Sequence, residues 1–551
     1  MSTSTPSNAS ATSIRRHSVP AANGPSLAVR TIARIFPYAA TVLAVLAIGL
    51  PTMILPFWSD TAIFSTIGKT ISDGGFPYVD AWDQKPPSIY LIYAVAIHGP
   101  FGLIGNVRAF DLLWMSVTVV LLIELGRRWW SLRAGVISGL VYGVVYFTIS
   151  GWWQLAQPDS FIGLPLVLAL LLHTEARGRW WLLVLAGIAL GFAFQLRAIM
   201  ALLIPFFPLP VLMDIPWRNR FSIWFRDMFW LGIGFAGFQV MLAMYLVIGG
   251  ALGEFIAATR FATGYTRLGG PWQGPEGPTL RAYLDAVRFS FLFWGLGRLV
   301  LTVPAVIGGV YGAFVVHERR CQQMLLFVVL AYLGIAVQAK FFWYHYGYVL
   351  PFLALLGGWA WDQAIARMRA AQPRLIAYTV IGVLAGALLL STPEVLDSGI
   401  RQWKDYVRYH VHPDERDQFY AKFGGYTVSQ QAAQYLQQHT GADDQIYVWG
   451  YDPLLYLLSG REHANRFVYA FPMMSDWAPP EWRDEFIADM QADPPMYFVA
   501  QHDQGGPWIT GHEIDPANYI PWLPPLQQWL ESNYEFETTI GSFEIYRRRT
   551  G

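Results

Sequence analysis

Residues 59–87 read SDTAIFSTIGKTISDGGFPYVDAWDQKPP and follow directly on the first apolar run of membrane-crossing length, 35–56. Asp60, Asp80, Asp83 and Lys85 are bunched there among aromatics and prolines. Burying such charges is costly unless they face water or one another. The stretch therefore reads as a polar loop held at the mouth of a membrane scaffold.

Composition supports the scaffold. Of 551 residues, 54% are hydrophobic and only 14% charged, whereas soluble chains carry about a quarter charged residues. The formal net charge is +0, which argues against nucleic acid as a partner. The single cysteine, Cys321, excludes an intramolecular disulfide and a cysteine-rich metal site. Tryptophan pairs at the ends of apolar runs (Trp129 with Trp130, Trp152 with Trp153, Trp180 with Trp181) suit anchoring at the bilayer interface.

Residues 1–30 are expected to be a disordered cytoplasmic tail, rich in Ser, Thr, Ala and Asn at first and then basic through Arg15, Arg16 and Arg30. Apolar segments long enough to cross follow at 35–56, 107–126, 133–150, 161–175, 180–197, 199–213, 227–249, 299–316, 323–339, 346–366 and 374–391. The segment 87–102 is ambiguous, and the excess of Arg and Lys in cytoplasmic loops decides it. If that segment lies along the outer surface, the clusters at Arg127–Arg133, Arg177–Arg179, Arg218–Arg226, Arg319–Arg320 and Arg367–Arg374 all fall inside; if it crosses, all fall outside. The expectation is a mostly α, polytopic membrane protein of about eleven spans, with a juxtamembrane helix at 87–102. Residues 31–391 form the membrane part, including a first outer loop at 57–106. After Ser391 the composition turns soluble, and an extracytoplasmic α/β domain is expected over 392–551, with strands at 445–450, 496–501 and 538–549. It carries no P-loop and no Gly-x-Gly-x-x-Gly after a strand.

This topology places every candidate functional group on the outer face. Asp60 opens a helical stripe; cap and catalytic base are equally good readings of it. Lys85 precedes two prolines that forbid helix and hold it extended near the bilayer, as suits a phosphate ligand; the alternative is a surface pair with Asp83 or a lipid headgroup contact. Asp159, in QPDSF, opens the next span, with capping again the rival. Arg197 either snorkels to headgroups or binds an anion in a polar cavity. Lys340, His345 and Tyr346, in KFFWYHY, lie at the outer start of a span and suit a phosphate or sugar hydroxyls. Arg260, Tyr265 and Arg267 lie on the Gly/Pro-rich loop after 250, either a substrate lid or a polar surface. Such acids and cations fit an anionic, lipid-linked donor and a neutral hydroxyl acceptor, with cations stabilising a leaving phosphate. The alternative class is a polytopic transporter or lipid flippase; charges at one interface and the lack of internal repeats speak against it.

Several motifs resemble the GT-C glycosyltransferases, in the branch of protein mannosyltransferases and lipid A aminoarabinose transferases. SDTAIF with GGFPYVDAWDQKPP is similar to that family's first outer loop, AQPDSF to its second acidic site, and WYHYGYVLP to its HY…LP segment; YVWGYDPLLYLLSGR is similar to the start of the outer domain in bacterial members. The resemblance implies a GT-C fold in the bacterial inner membrane and a polyprenyl-phosphate sugar donor. It implies transfer of a hexosyl or pentosyl group, with inversion, to a glycan, lipid or protein hydroxyl. It further implies Asp60 as the catalytic carboxylate, Asp159 and Lys85 beside the donor phosphate, and no cofactor beyond a possible divalent cation. Many relatives carry Asp-Glu where this chain has Asp60-Thr61.

Overall fold

The structure is a computed structural model describing residues 27–149, 151–209, 213, 215–273, 279–370, 374–502 and 505–549. Most of the expected disordered tail therefore lies outside the described residues. The chain is mostly helical, and the numbered helices that matter here follow in order. They are α1 (Leu27–Gly49), α2 (Ser59–Ser72), α3 (Ser88–Ala96), α4 (Gly102–Trp129), α5 (Leu132–Ile149), α6 (Gly163–Ala176), α7 (Trp180–Leu196) and α8 (Trp217–Ile248). After them come α9 (Leu252–Arg267), α10 (Leu280–Leu296), α11 (Leu299–Val310), α12 (Arg319–Gln338), α13 (Leu350–Ala370), α14 (Arg374–Leu390), α15 (Pro393–Val411), α16 (Tyr426–His439) and α17 (Leu454–Ser459). Among the described residues six helical stretches are long and apolar enough to cross a membrane, or up to eight if each bent pair is one span. Leu132–Thr148 and Trp180–Leu196 are apolar but shorter.

The spans pack closely at glycines. A Cβ on Gly135 of α5 would collide with the Ile123 carbonyl of α4, and one on Gly234 of α8 with the Val184 carbonyl of α7. Close backbone approach is how helices gain contact in lipid, where no hydrophobic drive brings them together. At one end of the bundle Arg128 pairs with Glu175, and Arg133 with Asp362 at 2.6 Å. The acids and cations singled out above lie at the other end.

Two segments depart from expectation. The first is 199–213, expected as a helical span, of which 210–212 lie outside the described residues and the start runs instead as two 3₁₀ turns, Ala198–Leu202 and Ile204–Phe206. It still traverses the bundle. Arg197 bonds to Gln338 at one end of α12, while Gln323 near the other end donates to the Phe206 and Phe207 carbonyls. The stretch from Gln323 to Gln338 rises about 22 Å at 1.5 Å per residue, and the ten steps from Arg197 to Phe207 match it at the roughly 2 Å rise of a 3₁₀ helix. Irregular backbone at membrane depth is tolerated when protein surrounds it, and Met200, Leu203 and Phe207 are buried.

The second departure is the loop after 250, which is largely the helices α9 and α10. Helix α10 meets the Leu299–Val315 stretch at 104°. Leu284, Phe289, Phe293 and Leu296 are exposed along it, the pattern of a helix lying in an interface. By contrast, α3 is a helix of 9 residues, about 14 Å long and too short to cross. It packs on α2 and stops where Asn106 bonds to the Ile97 and Gly99 carbonyls.

Toward the C-terminus a five-stranded sheet forms from β1 (Gln445–Trp449), β2 (Glu462–His463), β3 (Tyr497–Gln501), β4 (Tyr534–Ile540) and β5 (Phe543–Arg548). Its order is β2-β1-β3-β5-β4, parallel from β2 to β3 and antiparallel beyond. The single strand expected at 538–549 is a hairpin. Gly541, at φ 56°, supplies the positive φ that a tight turn requires.

Candidate active site

The first outer loop is shaped by its own backbone. Trp58 is the N-cap of α2, and Thr61 does the capping: its hydroxyl accepts from the Trp58 amide at 2.9 Å and donates to the Trp58 carbonyl at 2.7 Å. Asp60 is thereby released from the capping role. Its carboxylate makes no hydrogen bond or ion pair among the described residues. Asp80 is spent on the loop itself, accepting from the Phe76 amide at 2.7 Å. Tyr78 is a non-glycine residue at φ 73°, a strained conformation that surrounding contacts must hold. Its hydroxyl donates to the Lys85 carbonyl at 2.7 Å, and the Tyr90 hydroxyl accepts from the Lys85 amide at 3.1 Å.

Asp83 is buried and takes hydrogen bonds from Tyr469, Tyr90 and the Gln84 amide, at 2.7, 2.9 and 2.7 Å. It does not pair with Lys85. Among the described residues the Lys85 ammonium has no bonded partner, so one cation and one carboxylate of this loop, Lys85 and Asp60, remain uncommitted.

Asp159 follows Pro158 in a single helical turn and is fully buried. The Arg197 guanidinium grips it with two nitrogens: Nε lies 3.0 Å from Oδ1 and Nη2 lies 2.7 Å from Oδ2. Nη1 donates to Gln338 at 3.1 Å, and the group lies over the Tyr344 ring. The anion bound by Arg197 is thus Asp159. Lys340 is buried, donates to the Trp508 carbonyl at 3.0 Å and sits 3.6 Å above the Tyr265 ring. His345 is buried against Tyr344, with Nδ1 lacking a partner.

Electrostatics shows which groups share one place. Burial raises the pKa of Asp60; Lys85 and Arg197 pull it down, Asp83 and Asp159 push it up, and the net result lies above the ordinary value. Burial, helped by the Lys85 charge, brings Lys340 down to about 7. Asp60, Asp83, Lys85, Asp159, Arg197 and Lys340 therefore converge, and the charges of Arg197, Lys85 and Lys340 all act on His345. Tyr346 does not join them: its hydroxyl bonds to Ser290 and its ring stacks on Trp294. Arg260 and Arg267 are exposed on α9, whereas Tyr265 faces Lys340. Among the described residues no three His, Cys, Asp or Glu side chains gather to hold a metal ion.

A frame of buried charges that no expectation above includes lies beneath the site. Arg108 of α4 donates to the Leu55 and Pro56 carbonyls just before Asp60, and to that of Trp152 before Asp159. Asp111 accepts from Tyr146, whose hydroxyl takes the Ala156 amide. The sequence does carry a signal for it, two opposite charges three residues apart inside an apolar run, and the structure buries both fully.

With this geometry in place the chain can be set against known proteins. No family model matches it, and no curated protein matches it. Solved structures do. One is ArnT from Cupriavidus metallidurans bound to undecaprenyl phosphate, at TM-score 0.54 and 14% identity, covering 94% of this chain and 98% of that one. The fold is of the GT-C type. The apo Archaeoglobus fulgidus oligosaccharyltransferase is similar at TM-score 0.50 and 13% identity, covering 94% of this chain and 75% of that one. A GT-C fold over nearly the whole chain makes this a polytopic membrane protein.

Proposed function

We propose that this chain is an inverting GT-C glycosyltransferase, moving a hexosyl or pentosyl group from a polyprenyl-phosphate donor to an acceptor hydroxyl on the outer face of the inner membrane. The observation that carries the reading is the uncommitted carboxylate of Asp60 set among Lys85, Lys340 and the Arg197–Asp159 pair. The undecaprenyl phosphate bound to ArnT supports a donor of this chemical type.

Asp60 takes the proton of the acceptor hydroxyl as its oxygen attacks the anomeric carbon. The bond from that carbon to the phosphate oxygen breaks on the opposite face, and the electron pair leaves with polyprenyl phosphate. One displacement inverts the centre. Lys85 and Lys340 stabilise the charge growing on the leaving phosphate, and the Asp159–Arg197 pair holds the floor of the site. General-base assistance contributes roughly 10²–10⁴-fold. Asp60→Asn should therefore lower transfer of radiolabelled sugar from its polyprenyl phosphate in membrane vesicles by about that factor, at unchanged expression. Full transfer by this variant would remove Asp60 from the mechanism.

A further inference from the structure

Helix α15 carries the chain from the apolar helix α14 into the α/β portion, and its Val395–Val411 stretch leaves α14 at 63°. One side of α15 belongs to the bundle. It packs on α5 and on the 3₁₀ turn Leu50–Ile54 that precedes α2. Val395 is buried, and Gln402 donates to the Phe147 carbonyl near the end of α5 at 3.1 Å. Helix α15 therefore lies across the end of the bundle that carries the charged site.

A second apolar side is left uncovered among the described residues. Leu396, Ile400, Trp403, Val407 and Val411 recur at intervals of three or four, and each is between 37% and 63% exposed. That spacing puts them on one stripe. Ile400, Trp403, Val407 and Val411 line an open trough of about 700 Å³ along it, together with Lys404 and Arg408. A row of bases runs beside the stripe, because Arg401, Lys404 and Arg408 each follow one of its residues, a step of about 100° round the helix. Arg401 pairs with Asp397 at 2.7 Å and Arg408 with Glu415, both at the surface. Exposed pairs are weak, so neither guanidinium is withheld from another anion. The Lys404 ammonium has no bonded partner among the described residues.

Two observations say what covers the stripe. Its apolar surface continues that of α14, where Val383, Leu384 and Leu390 are exposed as in a helix facing lipid, and a 63° bend from such a helix points closer to the membrane plane than to the normal. Charge is the second. An apolar stripe with Arg and Lys along its edge is the pattern of a helix seated between acyl chains and anionic headgroups; an apolar contact with a second copy has no use for the bases. We infer that α15 docks on the bilayer surface, its stripe among the acyl chains and Lys404 and Arg408 on the headgroups of anionic phospholipid. The same helix holds the segment leading into α16, through Lys422 to Asp405 at 2.6 Å and the Tyr409–Tyr420 hydroxyl pair at 2.9 Å. The lipid contact thereby fixes the α/β portion against the membrane, whatever reaction the charged site performs.

The test uses the full-length protein in nanodiscs of mixed phosphatidylcholine and phosphatidylglycerol, spin-labelled at one introduced cysteine at a time. Labels at Ile400→Cys, Val407→Cys and Val411→Cys should be relaxed mainly by molecular oxygen, which concentrates in the bilayer. Labels at Asp397→Cys and Arg401→Cys should be relaxed mainly by a water-soluble nickel chelate. For the headgroup, phosphatidylglycerol and phosphatidylcholine probes with the same photoreactive acyl chain are compared by mass spectrometry. Peptides covering 400–412 should take up at least about fivefold more of the phosphatidylglycerol probe, and Lys404→Gln with Arg408→Gln should bring the two probes to parity. Relaxation by nickel at every site would put the stripe in water. Exclusion of both reagents from the stripe would put a protein partner there. Equal labelling by the two probes, or a preference that survives the double substitution, would remove the anionic headgroup. Each of these results would overturn the proposal.

Discussion

At the scale of single residues, Lys340 offers the sharpest test of the proposed donor site. With its pKa brought down to about 7 by burial and by Lys85, it is cationic below neutrality and neutral above. An anion bound beside it favours the cation and raises that pKa in the complex, so binding takes up a proton. Affinity for undecaprenyl phosphate should therefore be highest below pH 7 and fall as the pH rises through it. The phosphate itself gains charge near pH 6, so the wild type is compared with Lys340→Arg, whose guanidinium stays charged throughout. The ratio of the two affinities should widen by up to tenfold per pH unit above about pH 7; a constant ratio from pH 6 to about pH 9 would remove Lys340 from the phosphate site. Lys340, Asp60, Lys85, Asp159 and Arg197 were legible in the sequence because charge at a bilayer surface is conspicuous. Their division of labour was not. That Thr61 rather than Asp60 caps α2, and that Asp159 occupies Arg197, depends on side-chain directions that spacing does not encode.

Between elements, the loop carrying Asp83 and Lys85 is held by the C-terminal portion. Arg466 donates to the Tyr78 carbonyl and to Glu254 of α9, both at 2.8 Å, and to Glu485 at 2.7 Å, while its own carbonyl accepts from the Trp82 amide. Tyr469, three residues on, bonds to Asp83. No local pattern announces a contact spanning nearly four hundred residues, which is why neither residue was legible in the sequence. The irregular crossing after Arg197 was hidden for another reason: its apolar content is that of a span, although Pro205 and Pro208 remove amide donors that a continuous α-helix would need. Arg466→Gln frees the strained Tyr78 turn and leaves two part-exposed carboxylates unpaired, a loss of about 1–3 kcal/mol. The expected outcome is a protein that still inserts, with a lower melting temperature and kcat down about tenfold while the donor's KM changes little, since Lys85 displaced by about 1 Å misaligns the transition state more than it weakens binding. An unchanged kcat with the same stability loss would make Arg466 a structural clamp alone.

For the whole molecule, sidedness decides whether the proposed site can face outward. The basic loops meet at one end of the bundle, where Arg128 joins Glu175 and Arg133 joins Asp362, and the charged site lies at the other. That separation follows from alternate crossings only if α3 stays on one surface and the 3₁₀ segment counts as a full crossing. Remove that crossing, and the basic start of α8 (Arg218, Arg220, Arg226) moves to the side of Asp60, against the distribution of Arg and Lys in cytoplasmic loops. The sole cysteine, Cys321, is fully buried, so single cysteines introduced at the surface can be read over a low background. A membrane-impermeant maleimide applied to intact cells should label Thr266→Cys on α9 and spare Arg177→Cys and Asn219→Cys, which should react only after the membrane is opened. Labelling of Asn219→Cys in intact cells, with Arg177→Cys still protected, would show that the segment after Arg197 turns back without crossing; the parity on which the proposed outward-facing site depends would then fail.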